Sequence, residues 1–335
     1  MTPTINMQAI ESIQTNWQSA IAYLGGTEEN EQALIEKMGR QIHQEVNQIA
    51  RQHHTAPRRP QHTKMLAGIK NAIFQISPDL MEDLNVGFLK GGQSYPATVR
   101  FSNAAAFLAA DDAHDLRGVA IEISPFEGNV QDFLMTNAEQ HHAKDAIQAM
   151  ATSLAFSKKG FVNKITGTVQ LTTRVGPKEA LRILKTISKQ IKIPVESIAT
   201  ETYWSRAPVR IGEVVLKYRL YPAIHKTEPV KSNENLVEEF KTRLEKDDIQ
   251  FSFQIQRYIN ETLTPLEDAT KSWLSPFETI ADLIIPKQDL VNDDHFFSTK
   301  HFNPWKINSK EFEPVGNMNR ARKIVYAASE KAQRV

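Results

Sequence analysis

Cysteine is absent from this chain of 335 residues. Its absence excludes disulfides, iron–sulfur clusters, cysteine-type zinc sites and thiol nucleophiles, and it fits a reducing compartment. Net charge is almost absent as well: 40 Lys and Arg stand against 39 Asp and Glu, a formal net charge of +1. Such a balance offers neither the broad basic field that would hold nucleic acid nor an acidic tail. Long apolar runs are missing. The longest, Ala104 to Ala110, is far too short to cross a bilayer. The opening MTPTINMQAIESIQTNW lacks the basic-then-apolar order of a signal peptide. The expectation is a soluble, cytoplasmic protein with no transmembrane segment and no nucleic-acid partner.

Common chemical signatures are missing too. There is no G-x-x-x-x-G-K-[ST] and no G-x-G-x-x-G, so no nucleotide cradle is indicated. No G-x-S-x-G elbow is present. His53-His54, His141-His142 and the pair His295/His301 are potential metal ligands by type, but none has metal-site spacing, and the plainer reading is solvated surface histidines.

The hydrophobic fraction of 41% suffices for a sizeable core. Residues 28–52 carry Leu34, Ile35, Met38, Ile42, Val46 and Ile49 at helical spacing, which predicts an amphipathic helix laid over the main body. Two prolines break it in HHTAPRRPQH. Strand-like runs follow (AIFQI, PATVRFS, GVAIEIS and QDFLMT), several of them separated by turn residues. Helices are expected over Ala143 to Phe156 and over Pro177 to Ile191, the latter with proline in its first turn. Strands return in PVRIGEVVLKYRLYPA and IQFSFQIQRYI, where Phe251, Phe253 and Ile255 alternate onto one face. A last helix is expected from about Val315 to Arg334. Strands in hairpin-like groups with helices between and after them make an α+β pattern, not a βαβ alternation. With no repeat and no linker, 1–335 is expected to be a single domain: a helical arm to about 55, a strand-rich body to about 300 and a helical C-terminal segment.

Five short motifs stand in order. Arg59-Pro60-Gln61-His62 leads to Thr63-Lys64 and a strand. Val99-Arg100-Phe101-Ser102-Asn103 follows, then Asp115-Leu116-Arg117-Gly118, then Asn137 after QDFLMT, and finally Arg322-Lys323-Ile324-Val325-Tyr326. On spacing alone, Arg322 and Tyr326 share a helix face one turn apart, which suits a half-buried aromatic beside a surface charge as well as anything sharper. As a set, the motifs resemble the haem catalase superfamily. TPLEDATKSW, IIPKQ and FNPW resemble its short, catalase-related branch, which includes allene oxide synthase-like proteins.

The resemblance implies an antiparallel β-barrel core with surrounding helices and haem b held between barrel and C-terminal helix. Tyr326 would be the axial ligand of the iron, with Arg322 favouring its phenolate form. His62 would be the distal acid/base. Ser102 would hydrogen-bond the other ring nitrogen of His62, and Asn137 would hold the peroxide. Arg59 and Arg100 would pair with the haem propionates, while Asp115 and Arg117 would shape a turn. The implied substrate is hydrogen peroxide or an organic or lipid hydroperoxide, with a small organic reductant as a further partner. A homo-oligomer is left open. The alternatives on the same fold are hydroperoxide rearrangement and non-catalytic haem binding. Two departures from the family pattern stand out. Gln61 takes the place of the usual valine or threonine, and Ala138-Glu139-Gln140-His141-His142 takes the place of apolar and phenylalanine residues. The Gln61 amide is expected to hydrogen-bond the bound oxygen or His62, which argues against fast peroxide dismutation, and the second departure predicts a wider, more polar pocket that favours organic hydroperoxides.

Overall fold

The computed structural model describes residues 17–52, 61–105, 114–126, 129–156, 161–223, 235–306 and 311–333. After a short 3-10 turn (Trp17–Ala20) comes helix α1 (Glu28–Gln52), followed by β1 (Met65–Ile76), β2 (Ser94–Asn103), β3 (Arg117–Phe126) and β4 (Asn129–Thr136). Helices α2 (Ala146–Ala155), α3 (Phe161–Val175) and α4 (Pro177–Ile191) come next, then β5 (Tyr203–Trp204), β6 (Val209–Ile211) and β7 (Val214–Pro222). Helix α5 (Leu236–Leu244), β8 (Ile249–Arg257), β9 (Phe277–Ile285), α6 (Asp294–Thr299), β10 (Phe312–Pro314) and α7 (Asn317–Gln333) complete it.

The strands form one antiparallel sheet in the order β10-β6-β7-β5-β4-β3-β2-β1-β9-β8, and a β7–β8 pairing closes it on itself. The result is an α+β protein built on a closed antiparallel barrel of eight strands, with β6 and β10 added outside the ring. Closure removes most of the edges that an open sheet would expose. Period-two alternation sends one set of side chains inward. Phe74, Phe133, Tyr218 and Phe253 meet there, with Phe133–Phe253, Phe74–Phe253 and Phe133–Tyr218 centroids 5.0, 5.1 and 5.3 Å apart.

Outside the barrel, α1 lies along α7. Ile35 packs with Ala146 and Ala321, while Ile42 and Met38 pack with Met150, Leu154 and Val325. Arg320 pairs with Glu31, which is only 2% exposed. The helical spacing read in residues 28–52 therefore marks a real apolar stripe, and its partner is the final helix. Two expected helices are trimmed slightly: Ala143–Phe156 becomes Ala146–Ala155, capped by the Asp145 side chain accepting from the Gln148 N–H, and the last runs Asn317–Gln333.

Helix α3 has no counterpart in the sequence reading. Its sequence, FVNKITGTVQLTTRV, is rich in β-branched residues and contains Gly167, both unfavourable to helix. Packing supplies the reason it forms. Leu171 is buried with Ala151, Ala155 and Ile183, and a Cβ at Gly167 would lie 2.1 Å from the Ala155 carbonyl oxygen. The helix forms because glycine lets it cross the end of α2.

Candidate active site

His62 stands just before β1 and has a left-handed backbone, φ 57°. Histidine tolerates this region better than most residues, but the conformation still has to be held. Its N–H donates to the Ala104 carbonyl at 3.1 Å. Its own carbonyl accepts from Arg100 Nη2 at 2.9 Å, and the Thr63 carbonyl does so at 3.3 Å. Arg100, only 5% exposed, thus fastens the His62 loop to β2. The His62 Nδ1 and the Ser102 Oγ make a 3.1 Å hydrogen bond. When the hydroxyl accepts from Nδ1–H, the tautomer is set and Nε2 carries the basic lone pair.

The ring lies against Gly118. A Cβ at that position would sit 2.5 Å from both His62 Cε1 and Nδ1. Gly118→Ala is therefore expected to push the imidazole off Ser102. Overpacking of this kind costs about 1–3 kcal/mol, so the denaturation midpoint falls while the barrel is retained, and any reaction that needs His62 slows with it.

Across the sheet, Ser102 pairs with Gly118 and Gly118 with Thr136. Asn137 follows directly. Its Oδ1 accepts from the Arg117 N–H at 2.7 Å and its Nδ2 donates to Glu201 at 2.9 Å, so the amide is fixed in orientation. Asp115 accepts from the N–H groups of Ala105 and Leu116, and Arg117 bonds Asn103, which shapes the turn expected there. Arg59 lies outside the described residues, as do His53 and His54.

Two residues along β3, Ala120 pairs with Leu134. Both remain half-exposed in mid-strand, so this outer face of the barrel is only partly covered. The Leu134 N–H donates to the Tyr218 hydroxyl at 3.3 Å. Burial pushes that phenol up to about 12, against the positive field of Arg322 and in the same direction as the charge that Tyr326 would carry. On α7, Arg322 stands one turn before the half-buried Tyr326 and donates to Asn319 Oδ1 at 3.2 Å. Helix α2 also joins the two ends: Gln61 Nε2 donates to Ser153 at 2.9 Å, while Met150 and Leu154 pack on Val325. Gln61 is thus tied to α2 by its amide, a different role from the contact with peroxide or with His62 expected for it.

The histidine pair departs from expectation. His141 and His142 are half-buried, not freely solvated, with ring centroids 4.3 Å apart. His141 Nδ1 accepts from the Ala143 N–H at 3.0 Å. Among the described residues no group of three or more His, Asp or Glu side chains is arranged to hold a metal ion. Burial first, then the charges of Arg206 and Arg182, bring His142 down to about 3; burial and Arg206 lower His141 as well, with His142 and Arg322 adding to the effect. Both stay neutral in the folded chain, whereas the unfolded chain takes up protons near 6.5. Their stabilisation is therefore fully present above about pH 6.5 and is lost as the pH falls toward 3. His142→Gln is expected to flatten the acid limb of stability between pH 6 and 4 by up to about 1.4 kcal/mol per pH unit, read by denaturant titration.

Arg206 was not legible in the sequence. It is 7% exposed, and its Nη1 donates to Thr136 Oγ1 at 3.2 Å and its Nη2 to the Gln140 carbonyl at 2.9 Å. No short motif marks it; the signal is its backbone, φ 60°. Among the described residues, Arg206 and His62 are the two non-glycine residues with positive φ.

The donor set fits a haem. A small-residue sheet face, Gly118 and Ala120, offers a flat apolar bed. An imidazole held by a hydroxyl lies against Gly118 at one end of it, and α7 carries a tyrosine one turn from an arginine.

No family model matches the chain, and no curated protein matches it in sequence. Solved structures do. A fungal catalase superposes with a TM-score of 0.69 at 15% identity, covering 86% of this chain and 62% of that one. A bacterial catalase gives 0.65 at 16%, covering 86% and 59%. Catalase A from Saccharomyces cerevisiae gives 0.68 at 14%, covering 86% and 63%. The barrel and its helices are therefore of the catalase type. The chain spans about three fifths of the length of these catalases. Among the described residues no helix is long and apolar enough to cross a membrane.

Proposed function

We propose that this chain binds haem b between the outer face of β3–β4 and helix α7 and cleaves peroxides there, as a catalase or as a peroxidase using organic hydroperoxides. The observation that carries this reading is the His62–Ser102 pair lying over Gly118 on a catalase-type barrel, in a chain whose α7 carries Arg322 and Tyr326 one turn apart.

Ferric haem, when bound, supplies the two-electron chemistry of O–O cleavage. The chain's own residues would do the rest. Tyr326 would hold the iron through its phenol oxygen, with Arg322 one turn earlier on the same helix. His62 Nε2 would take the proton from the inner peroxide oxygen and return it to the outer one, which leaves as water or alcohol. Ser102 keeps the imidazole in the tautomer this requires, and Arg100 keeps its loop in place. Asn137, with its amide pinned by Arg117 and Glu201, would point its second N–H at the bound peroxide. Arg59 and Arg100 remain the candidates for the propionates, Arg100 while also serving the His62 loop.

The first test is the visible spectrum after haem is added to the purified protein. A Soret band of high-spin ferric tyrosinate haem is expected, and no haem uptake would remove the proposal. Steady-state rates with hydrogen peroxide and with a fatty-acid hydroperoxide then separate catalase from peroxidase, because oxygen gas marks the first and oxidised donor the second. An epoxide or ketol isomer would instead mark rearrangement of the hydroperoxide.

A further inference from the structure

A small, partly open cavity lies between β5, β7, β8 and the loop that leads into β9, with the exposed Lys271 at its rim. Three cations line it, Arg206, Lys217 and Lys271, against one carboxylate, Glu139. Its free volume is about 10 Å³, room for one water-sized particle. Arg206 is nine-tenths buried there, and its Nε has no hydrogen-bond partner among the described residues. The other guanidinium nitrogens bond a hydroxyl and a carbonyl, so none of the contacts described for Arg206 is with a carboxylate. Lys217 places its ammonium over the Trp273 ring at 4.9 Å.

A buried cation without a counter-charge is costly and is normally paired or neutralised. Here the opposite is arranged. Arg206 is kept in a left-handed backbone that disfavours branched and bulky side chains. Arg322 adds a second positive field beside it. Burial brings Arg206 down to about 9 and Lys217 down to about 8, with Arg206 itself contributing to the latter; Glu139 and Asp268 offset part of the effect on Lys217. A water molecule would satisfy the Nε–H but leave the charge. A carboxylate-bearing metabolite or a phosphate exceeds the space.

We propose that this cavity is a binding site for one small monatomic anion, a halide such as chloride, held between Arg206 and Lys217. The site is separate from the haem reading and does not depend on it. The anion would accept from the Arg206 Nε–H, sit against the Lys217 ammonium, and offset the excess positive charge beside Arg322.

The test uses the full chain without added haem. Its thermal unfolding is followed as chloride replaces gluconate at constant ionic strength, and the ³⁵Cl NMR linewidth is measured with bromide as competitor. A saturable rise in midpoint of about 3 °C is expected, with chloride line broadening that bromide displaces. Arg206→Met and Lys217→Met should lose both effects; if the arginine variant does not fold, the lysine variant, whose methionine can still cover Trp273, carries the test. Identical unfolding in chloride and gluconate overturns the proposal, and so does a chloride response that survives in Lys217→Met.

Discussion

Tyr326→Phe is expected to yield a folded barrel that no longer retains haem. The substitution keeps the ring and deletes one oxygen. Tyr326 is half-buried on α7, and the packing of that helix rests mainly on Ala321, Ile324 and Val325 against α1 and α2, so the fold should survive. On the proposed reading, what disappears is the phenol oxygen that would hold the iron. Each tenfold loss of affinity corresponds to about 1.4 kcal/mol, and an iron–phenolate bond is worth several such steps. The Soret band after gel filtration should therefore drop to a small fraction of the wild-type value while the far-ultraviolet dichroism stays unchanged. Full retention of haem by the phenylalanine variant would sink the ligand assignment.

His62→Ala should behave in the opposite way: haem retained, chemistry lost. General acid–base catalysis is worth roughly 10²–10⁴-fold, and the rate of peroxide cleavage should fall within that range. Alanine loses the Ser102 hydrogen bond and fits the left-handed backbone at φ 57° less well than histidine, so a modest loss of stability with the barrel retained is expected. Stopped-flow mixing with hydrogen peroxide reads the loss directly. A variant that still cleaves peroxide at the parental rate would show that the proton is carried elsewhere. Gly118→Ala is the companion to this experiment, because it perturbs the position of the imidazole without removing it.

Several strands were legible from the chain because alternation leaves a direct mark, whereas their closure into a barrel was implied only by the resemblance to catalases. Phe251, Phe253 and Ile255 point inward as their spacing indicates, and the apolar stripe of residues 28–52 meets a partner. The helices of the insertion were less so. Helix α3 contradicts its own local preference and exists because Leu171 and Gly167 fit α2. Within the site, the His62–Ser102 contact matches what the motifs implied, since each sits at the end of a short strand-flanking motif. Gln61 does not play the part expected for it, because the loop turns its amide to Ser153. His141 and His142 looked solvated because nothing local shows that Arg206 and Arg322 will come to lie beside them. Arg206 itself is placed by a left-handed turn between β5 and β6, which no residue type announced.

The contact between α1 and α7 has a kinetic consequence. Glu31 and Arg320 are 289 positions apart in the chain. A pairing of such high contact order is slow to establish, because the closure entropy is spent before the contact returns anything. The helix bearing Tyr326 should thus dock onto a barrel already zipped, and should be the first part to breathe away from it. Amide exchange on α7 is expected to outpace that on β8 and to slow once haem is supplied; equal protection of the two would mean that the last helix is no gate at all.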